Sequence, residues 1–469
     1  MHQLACVPPS PKVMSMLYMD YLRDGQANGL TFSQYLQMMG YANPAHDLTG
    51  MDDAATGQMI AGQLELIAIP DHPITGQLHV KVLLVDFPDK PGLLPRQRYE
   101  DLLFSQGQHL TGSMYDYFRE VSLAQVEITG SVHGWFRMPQ PYSFYTNHES
   151  GIFGENNGMT SYPRNAQRLA EDAVRTALNF GVPFEPELDK MQRGVVTALF
   201  IVHAGRGAET LHPQLRLDEI WSHKFELKTP IQVGPALFAV TYLTVPQECD
   251  LGVCAHELGH LAFQWQDFYD PNGSDDGVKW SGSGEWDLMA SGSYNGGSAS
   301  PAHPAGLHKS QHGWVATEIV QFSQGVAEQV ELEIDPYSTT QGKVVKLISP
   351  HYLPGQYLLL ENRTRVGFDR YLPGEGLLVW RVDESGEMFA PGNPGMLLVQ
   401  ADSLHHLESN GFGDAGDPFP GSTRRTQLKS TGRISTSFPG QTGSGLNLAM
   451  IRHSQVTGKI TLRVDYDGS

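Results

Sequence analysis

The chain has 469 residues, more than one hydrophobic core usually organises, so we expect a large domain and at least one smaller one. Hydrophobic residues make up 40% of the sequence and charged residues 18%, which argues against a disordered chain. With 32 basic and 51 acidic side chains, the net charge of -19 repels nucleic-acid phosphates and anionic membrane surfaces, so we expect no nucleic-acid partner.

No stretch approaches the roughly 18 uninterrupted apolar residues that a membrane-spanning helix needs. Residues 1–12 carry no basic segment followed by an apolar one, so either the protein stays inside the cell or the sequence begins after a removed signal. The three cysteines, Cys6, Cys249 and Cys254, exclude a disulfide framework and a zinc ribbon. Cys249 and Cys254 could pair or be separate core thiols, and nothing in the sequence indicates an oligomer.

In chain order, apolar residues first recur at helical spacing in 11–40, which predicts two short amphipathic helices too small to fold alone. A strand at 79–87 then opens a domain. A helical segment, two extended segments, a helix and a buried strand follow, at 99–121, 125–130, 134–138, 163–180 and 195–203.

A helix is predicted at 246–262, followed by a long loop at 270–297 that is rich in Gly, Ser and Asp. Loops of that length are usually functional. After Trp314 the pattern changes to short strands of period two, which predicts a carboxyl-terminal β domain. These strands are expected at 328–334, 342–348, 356–361, 376–382 and 459–464.

Residues 255–260 read A-H-E-L-G-H, an H-E-x-x-H pattern in an almost wholly apolar helical segment. Side chains four apart on a helix lie one turn above each other, so His256 and His260 can bind one zinc ion. Glu257 can then reach a metal-bound water as a general base. The alternative is a chance match on a surface helix, but so apolar a helix is buried, and buried ionisable groups are costly unless paired or bound to metal.

Catalytic zinc takes three protein ligands and keeps one position open. The candidates for the third ligand are Asp267, Asp270 and Glu285. On a straight helix Asp267 would lie about 10.5 Å beyond His260, so the helix must end and the chain must turn back. Glu285 would need no such turn, because it could arrive from a separate segment. These residues alone leave the choice open.

From about Val80 to the carboxyl terminus, the chain resembles the immune inhibitor A family of metallopeptidases. H-E-L-G-H with D-F-Y-D at 267–270 resembles that family's zinc helix and third ligand, an aspartate, which selects Asp267. W-D-L-M-A-S-G-S at 286–293 resembles its Met-turn, which implies Met289 beneath the zinc. Four further blocks match in the same order: G-S-M-Y-D-Y-F at 112–118, I-W-S-H at 220–223, L-P-G-E-G-L-L-V-W at 372–380 and G-D-A-G-D-P-F-P-G at 413–421.

Two features depart from the family pattern: the residue at position 263, and a segment from His260 to Asp267 that is one residue longer. Phe263 stands where the family has a glycine that ends the zinc helix in a left-handed turn, a conformation that phenylalanine does not adopt cheaply. We therefore expect the turn to be built differently, around residues 264–266.

The resemblance implies a zincin-type, metzincin-like fold of the α/β (α+β) class. The expected division is a propeptide-like helical segment at 1–70, a metallopeptidase catalytic domain at 75–315 and a β-rich domain at 316–469. The family is secreted, is made with an inhibitory amino-terminal segment and often binds calcium. The resemblance therefore implies a secreted zymogen with catalytic Zn²⁺ and structural Ca²⁺.

Two features of the sequence could correspond to these traits. Cys6, followed by prolines, is a candidate latency thiol that would occupy the open position of the zinc, and the alternative is an ordinary cysteine near a chain end. Hard-oxygen clusters suit calcium, and the alternative is a solvated acidic loop. The calcium candidates are Asp270, Asn272, Asp275, Asp276, Asp414 and Asp417.

We therefore expect a zinc endopeptidase that hydrolyses protein or peptide substrates by a metal-bound water activated by Glu257. Two alternatives are a catalytically impaired binding or adhesive protein on the same fold, suggested by Phe263, and hydrolysis of a non-peptide ester or amide. The presence of Glu257 argues against the first alternative.

Overall fold

The structure is a computed structural model that describes residues 5–39, 59–60, 63–64, 73–152, 162–269, 281–337, 342–384, 395–409 and 411–468. Its α-helices are Pro11–Asp20 (α1), Phe32–Met38 (α2), Arg96–Phe104 (α3), Met114–Val121 (α4), Tyr142–Thr146 (α5), Ala166–Asn179 (α6), Pro213–Arg216 (α7), Leu251–Phe263 (α8) and Gly306–Gln311 (α9).

The strands up to the end of the first large sheet are Ala5–Cys6 (β1), Met59–Ile60 (β2), Gln63–Leu64 (β3), Gly76–Asp86 (β4), Val126–Arg137 (β5), Leu199–His203 (β6), His223–Gly234 (β7) and Leu237–Pro246 (β8). The later strands are Ala316–Gln321 (β9), Glu328–Ile334 (β10), Lys343–Ile348 (β11), Gln356–Arg363 (β12), Gly376–Asp383 (β13), Met396–Leu398 (β14), Leu446–His453 (β15) and Ile460–Tyr466 (β16).

A six-stranded sheet in the order β1-β7-β8-β6-β4-β5 forms the first large unit. Strands β8, β6, β4 and β5 are parallel, whereas β7 runs antiparallel to β8 and takes β1 on its free edge. The parallel strands are covered on both faces, which explains the nearly continuous apolar runs of β4 and β6. Helices α3, α4 and α8 pack on one face, and α6 packs on the other.

The carboxyl-terminal part consists of two sheets, one of five strands in the order β14-β13-β12-β11-β9 and one of three in the order β10-β16-β15. Apolar side chains from both sheets form one core between them. The other face of the five-stranded sheet packs on the loop that follows α8, through residues such as Trp380, Leu359 and Trp286. The β-rich part therefore buttresses the loop that carries the predicted Met-turn.

Most of the elements predicted from periodicity are confirmed, including a helix, α8, within the predicted 246–262 segment and the β strands after Trp314. The segment 99–121 is two helices, α3 and α4, because a capping box at Ser113 starts a new helix. The two extended segments at 125–138 are one strand, β5. The β7–β8 hairpin was not predicted. No helix of the described residues is long and apolar enough to cross a membrane.

Candidate active site

Helix α8 carries the H-E-x-x-H motif, and all of its thirteen residues are buried. Its two glycines lie where other elements approach closely. A Cβ on Gly252 would lie 1.8 Å from the backbone oxygen of Ser293, and one on Gly259 would lie 2.8 Å from Sδ of Met289. The helix is therefore pressed against the segment at 286–293, as the predicted Met-turn requires.

The side chains of His256, His260 and Asp267 converge on one point. The two Nε2 atoms are 3.0 Å apart, and Oδ1 of Asp267 lies 3.2 Å from each of them. No metal ion is part of the structure, but two imidazole nitrogens and one carboxylate oxygen are a donor set that catalytic zinc uses. These residues fit zinc.

Backbone carbonyls orient both imidazoles. Nδ1 of His256 lies 2.9 Å from the oxygen of Leu288, and Nδ1 of His260 lies 2.8 Å from that of Trp265. A carbonyl only accepts, so each Nδ1 is the donor, and each Nε2 keeps a lone pair directed at the shared point. This is the outer-shell arrangement that fixes a metal-binding tautomer.

Asp267 reaches the histidines because the chain turns at Gln264, not at Phe263. Helix α8 ends at Phe263, and Gln264 takes the left-handed conformation with φ +56°. Such a residue costs about 1–2 kcal/mol, which packing must offset. Phe263 stacks on Phe118 and on Trp265, with ring centroids 4.9 Å apart in both pairs. The aromatic stack holds the turn that a glycine would otherwise permit.

Met289 packs against α8 beside Gly259, and it is fully buried. Its backbone oxygen accepts a 2.9 Å hydrogen bond from the N–H of Phe268, which adjoins Asp267. The Asp287 carboxylate accepts from the backbone N–H groups of Met289 and Ala305, and burial raises the pKa of Asp287 to about 6. The loop at 286–293 therefore does two things. Its Met289 carbonyl holds Phe268, next to Asp267, and its Leu288 carbonyl orients His256.

Glu257 lies among other acidic groups. Burial, with the charges of Asp267 and Glu209, raises the pKa of Glu257 well above its ordinary value. Burial would also raise the pKa of Asp267, but the imidazoles of His260 and His256 outweigh it and lower that pKa. Oε2 of Glu257 has no hydrogen-bond partner among the described residues. A cation on the three ligands would offset this excess of negative charge.

The amino-terminal segment, residues 5–10, crosses the cleft beside these groups. Strand β1 pairs antiparallel with the edge strand β7, with Cys6 opposite His223. The buried Val7 donates its backbone N–H to Oε1 of Glu257 at 2.9 Å. Its carbonyl accepts a 2.9 Å hydrogen bond from Nε1 of Trp221. The segment thus contacts the predicted catalytic base directly.

Two tyrosines also bind this segment through their hydroxyl groups. Tyr269 donates to the carbonyl oxygen of Cys6, and Tyr294 donates to that of Pro8 at 2.6 Å. Burial, followed by the charge of Asp267, raises the pKa of Tyr269, so its hydroxyl stays protonated. Trp221, Tyr269 and Tyr294 were not predicted from the sequence as residues of the site. Trp221 and Tyr269 lie inside the I-W-S-H and D-F-Y-D blocks, which were the available signal.

The other candidate ligands are distributed as follows. Glu285 is not part of the three-residue group, and Asp270 lies outside the described residues, as do Asn272, Asp275 and Asp276. Asp414 forms a half-buried group with Asp402 and His406, whose ligand atoms lie within 4.8 Å of one another.

Asp417 does not join that group. It accepts hydrogen bonds from Nε1 of Trp286 and the N–H of Asp414, and burial raises its pKa to about 7. A histidine nitrogen is not a usual calcium ligand, so the geometry at Asp414 does not favour calcium over a structural turn. All three cysteines are free. Of the two alternatives for Cys249 and Cys254, a disulfide or separate core thiols, the structure has two separate buried thiols.

A buried ionic network joins the carboxyl-terminal sheet to the Met-turn loop. Arg363 at the end of β12 donates to the oxygen of Trp286 at 2.8 Å and pairs with Asp369 at 2.7 Å. Asp369 in turn accepts from the N–H of His303, and Glu361 accepts from that of Gly306. Charged side chains from the β-rich part therefore hold the backbone on both sides of the turn.

Comparison with known proteins gives an independent line of evidence. A sequence model described as immune inhibitor A peptidase M6, catalytic domain, matches residues 77–321, just over half of the chain. A pre-pro-metalloprotease PrtV of Vibrio cholerae is 27% identical over 259 residues, covering 46% of this chain and 27% of that protein. An immune inhibitor A of Bacillus thuringiensis is 25% identical over 265 residues, covering 46% of this chain and 36% of that protein.

The matched part of the chain thus spans only about a quarter to a third of these relatives. The match to the family model ends at residue 321, so the resemblance at 372–380 and 413–421 stays a prediction.

Proposed function

Because the chain belongs to the immune inhibitor A family of peptidases, we propose that it is a secreted zinc-dependent endopeptidase that cleaves protein or peptide substrates. The observation that carries the proposal is the convergence of His256, His260 and Asp267, with Glu257 on the same helix. His256, His260 and Asp267 would hold the ion. Zinc, when bound, supplies a Lewis acid that lowers the pKa of a bound water to about 7 and polarises a carbonyl.

Glu257 performs the proton transfers in this proposal. Its carboxylate takes a proton from the attacking water, and the same oxygen later gives that proton to the amine that leaves. The hydrogen bond from the backbone N–H of Val7 supports this role, because it demonstrates that a peptide nitrogen reaches Oε1 at 2.9 Å. No covalent intermediate with the protein is required.

The edge strand β7 supports a peptide substrate over an ester or a small amide. A strand of this chain already adds to β7 by backbone pairing, which is how extended peptides bind sheet edges. The alternative of an impaired binding protein rests on Phe263. That residue remains helical while Gln264 makes the turn, so it gives no reason to expect a damaged site.

We further propose that the amino-terminal segment keeps the chain latent, with Cys6 as the thiol that ligates the metal. Burial, with the charges of Glu257 and Asp267, raises the pKa of the Cys6 thiol, so a thiolate would form there only beside a cation. Cys6 is not part of the three-residue group itself. The relative from Vibrio cholerae is named a pre-pro-metalloprotease, which is in keeping with a secreted zymogen.

Cys6→Ser in the full chain tests the thiol separately from the rest of the segment. We expect peptidase activity to rise, and unchanged activity would remove Cys6 from the latency mechanism. Calcium stays a prediction: chelation that removes calcium but leaves zinc should lower the melting temperature. An unaltered melting temperature would count against it.

Digestion of casein by the Cys6→Ser chain tests the peptidase activity, because latency predicts little cleavage by the untreated chain. We expect fragments that disappear with 1,10-phenanthroline and return when zinc is added back. Full digestion in the presence of the chelator would overturn the proposal, and so would a zinc-loaded Cys6→Ser chain that cleaves no casein.

A further inference from the structure

The peptide bond between Cys6 and Val7 is contacted at both ends by groups of the site. Its nitrogen donates to Oε1 of Glu257 at 2.9 Å, and its carbonyl oxygen accepts from the hydroxyl of Tyr269. One amide of the chain's own backbone thus lies between the proposed base and a phenol.

The surrounding contacts resemble those of a bound peptide. The segment pairs antiparallel with β7, and the Val7 side chain is buried. The carbonyl of Val7 accepts from Nε1 of Trp221, and that of Pro8 accepts from the hydroxyl of Tyr294. Backbone pairing to a sheet edge fixes the register of a peptide, so the amide next to Glu257 is set by β7.

Hydrolysis makes different demands on the two ends of the scissile amide. The oxygen of water bonds to the carbonyl carbon and its proton passes to Glu257, while the carbonyl oxygen gains negative charge. The C–N bond then breaks, and Glu257 returns the proton to the nitrogen, which leaves a carboxylic acid and an amine; the acid then loses its remaining proton to solvent. The nitrogen therefore needs a proton donor, and the oxygen needs a hydrogen-bond donor.

We propose that Tyr269 is a catalytic residue whose hydroxyl donates to the carbonyl oxygen of the scissile bond as negative charge develops there. This inference rests on the proposed peptidase function. Removal of one such donor typically lowers kcat by about 100-fold to 1,000-fold.

Tyr294 offers a matched control. Its hydroxyl also binds a backbone carbonyl of the segment, at 2.6 Å from Pro8, but that carbonyl is not part of the amide beside Glu257. Tyr269→Phe and Tyr294→Phe each remove one hydrogen bond to the segment, so they should loosen it alike. Only the first removes a donor from the reacting oxygen.

The test uses the zinc-loaded full chain carrying Val7→Asp, because a buried charge at position 7 should release the segment and leave the edge of β7 free for the probe. Zinc content and melting temperature are the checks on folding. The probe is a phosphinic peptide of the sequence 4–10, with alanine in place of Cys6 and the phosphinic group in place of the amide between positions 6 and 7. Affinity for the intact peptide of the same sequence is measured on the Glu257→Gln background. The constants kcat and KM are measured separately with a fluorogenic peptide substrate.

We expect Tyr269→Phe to bind the phosphinic peptide about 100-fold more weakly than Tyr294→Phe, and to have a correspondingly lower kcat. The affinities of Tyr269→Phe and Tyr294→Phe for the intact peptide should differ by less than about threefold. Equal phosphinic affinity in the two variants, or an equal loss for both peptides, would overturn the role of Tyr269. If the Val7→Asp chain, with or without Tyr294→Phe, neither cleaves the fluorogenic peptide nor binds the phosphinic peptide, the proposed function would be overturned instead.

Discussion

The backbone N–H of Val7 donates to Oε1 of Glu257 across 250 positions of sequence. The two residues meet because β1 adds to the edge of the sheet beside the zinc helix. This one contact joins the segment expected to inhibit the chain to the residue expected to catalyse the reaction. It also predicts that release of Val7 should free the base.

Val7→Asp should raise peptidase activity at least tenfold. The new carboxylate would be buried near Glu257 and Glu209, and an unpaired buried charge costs several kcal/mol, so the segment should leave the cleft. Met19→Asp is the control, because Met19 is 65% exposed on the neighbouring helix. Turnover of a fluorogenic peptide measures both, and equal activity of the two variants would argue that the segment does not inhibit.

Gly259→Ala should destabilise the chain by about 1–3 kcal/mol and weaken zinc retention. The added Cβ would lie 2.8 Å from Sδ of Met289 and 2.8 Å from the Trp265 ring, so α8 must shift. Urea unfolding and zinc content after dialysis measure the two effects. The cost should be smaller on a Met289→Ala background, which makes room, and strictly additive costs would contradict direct packing of Met289 on the helix.

Arg363→Met should lower the free energy of unfolding by about 3–5 kcal/mol, because it leaves the buried carboxylates of Asp369 and Glu361 without their partner. It should also weaken zinc binding, since the Arg363 side chain holds the backbone of Trp286 near the Met-turn. Arg365→Met at an exposed position is the control. Competition with a zinc chelator reports the second effect, and unchanged zinc affinity would limit the network to fold stability.

His223 should make the fold sensitive to acid. Burial lowers its pKa to about 4, so between pH 6.5 and pH 4 the unfolded chain binds a proton that the folded chain does not, and stability falls as pH falls. The loss attributable to this residue is at most roughly 3 kcal/mol. His223→Gln should flatten the dependence of unfolding free energy on pH in that window, whereas His148→Gln on the surface should not. Identical slopes for wild type and His223→Gln would refute this assignment.

The parts of the site that local geometry determines were predictable from sequence. Four-residue spacing on a helix is enough to bring His256 and His260 together, and the apolar neighbours of that helix indicate its burial. The return of Asp267 was not derivable in this way. It depends on the left-handed Gln264 and on the stack of Phe263 with Phe118, a residue far away in sequence.

Contacts between distant strands were the least predictable part. Nothing in the period-two pattern of β7 indicates that Cys6 pairs opposite His223, because backbone pairing carries no side-chain signature. The β7–β8 hairpin was missed for a related reason: the exposed part of β7 contains Lys and Pro, which are depleted in strands. Tyr269 and Trp221 could not be predicted as site residues from the sequence, because both bind the backbone of residues 5–10, whose position only the structure gives.

Zinc content and peptidase activity of Glu257→Gln decide whether Glu257 is the base, with the variant prepared on the Cys6→Ser background beside the Cys6→Ser parent and Asp267→Asn. We expect one zinc per chain in the parent and in Glu257→Gln, with turnover of Glu257→Gln lower by at least about 100-fold, and a loss of zinc in Asp267→Asn on dialysis. Glu257→Gln with one zinc and undiminished turnover would assign the proton transfers to another group.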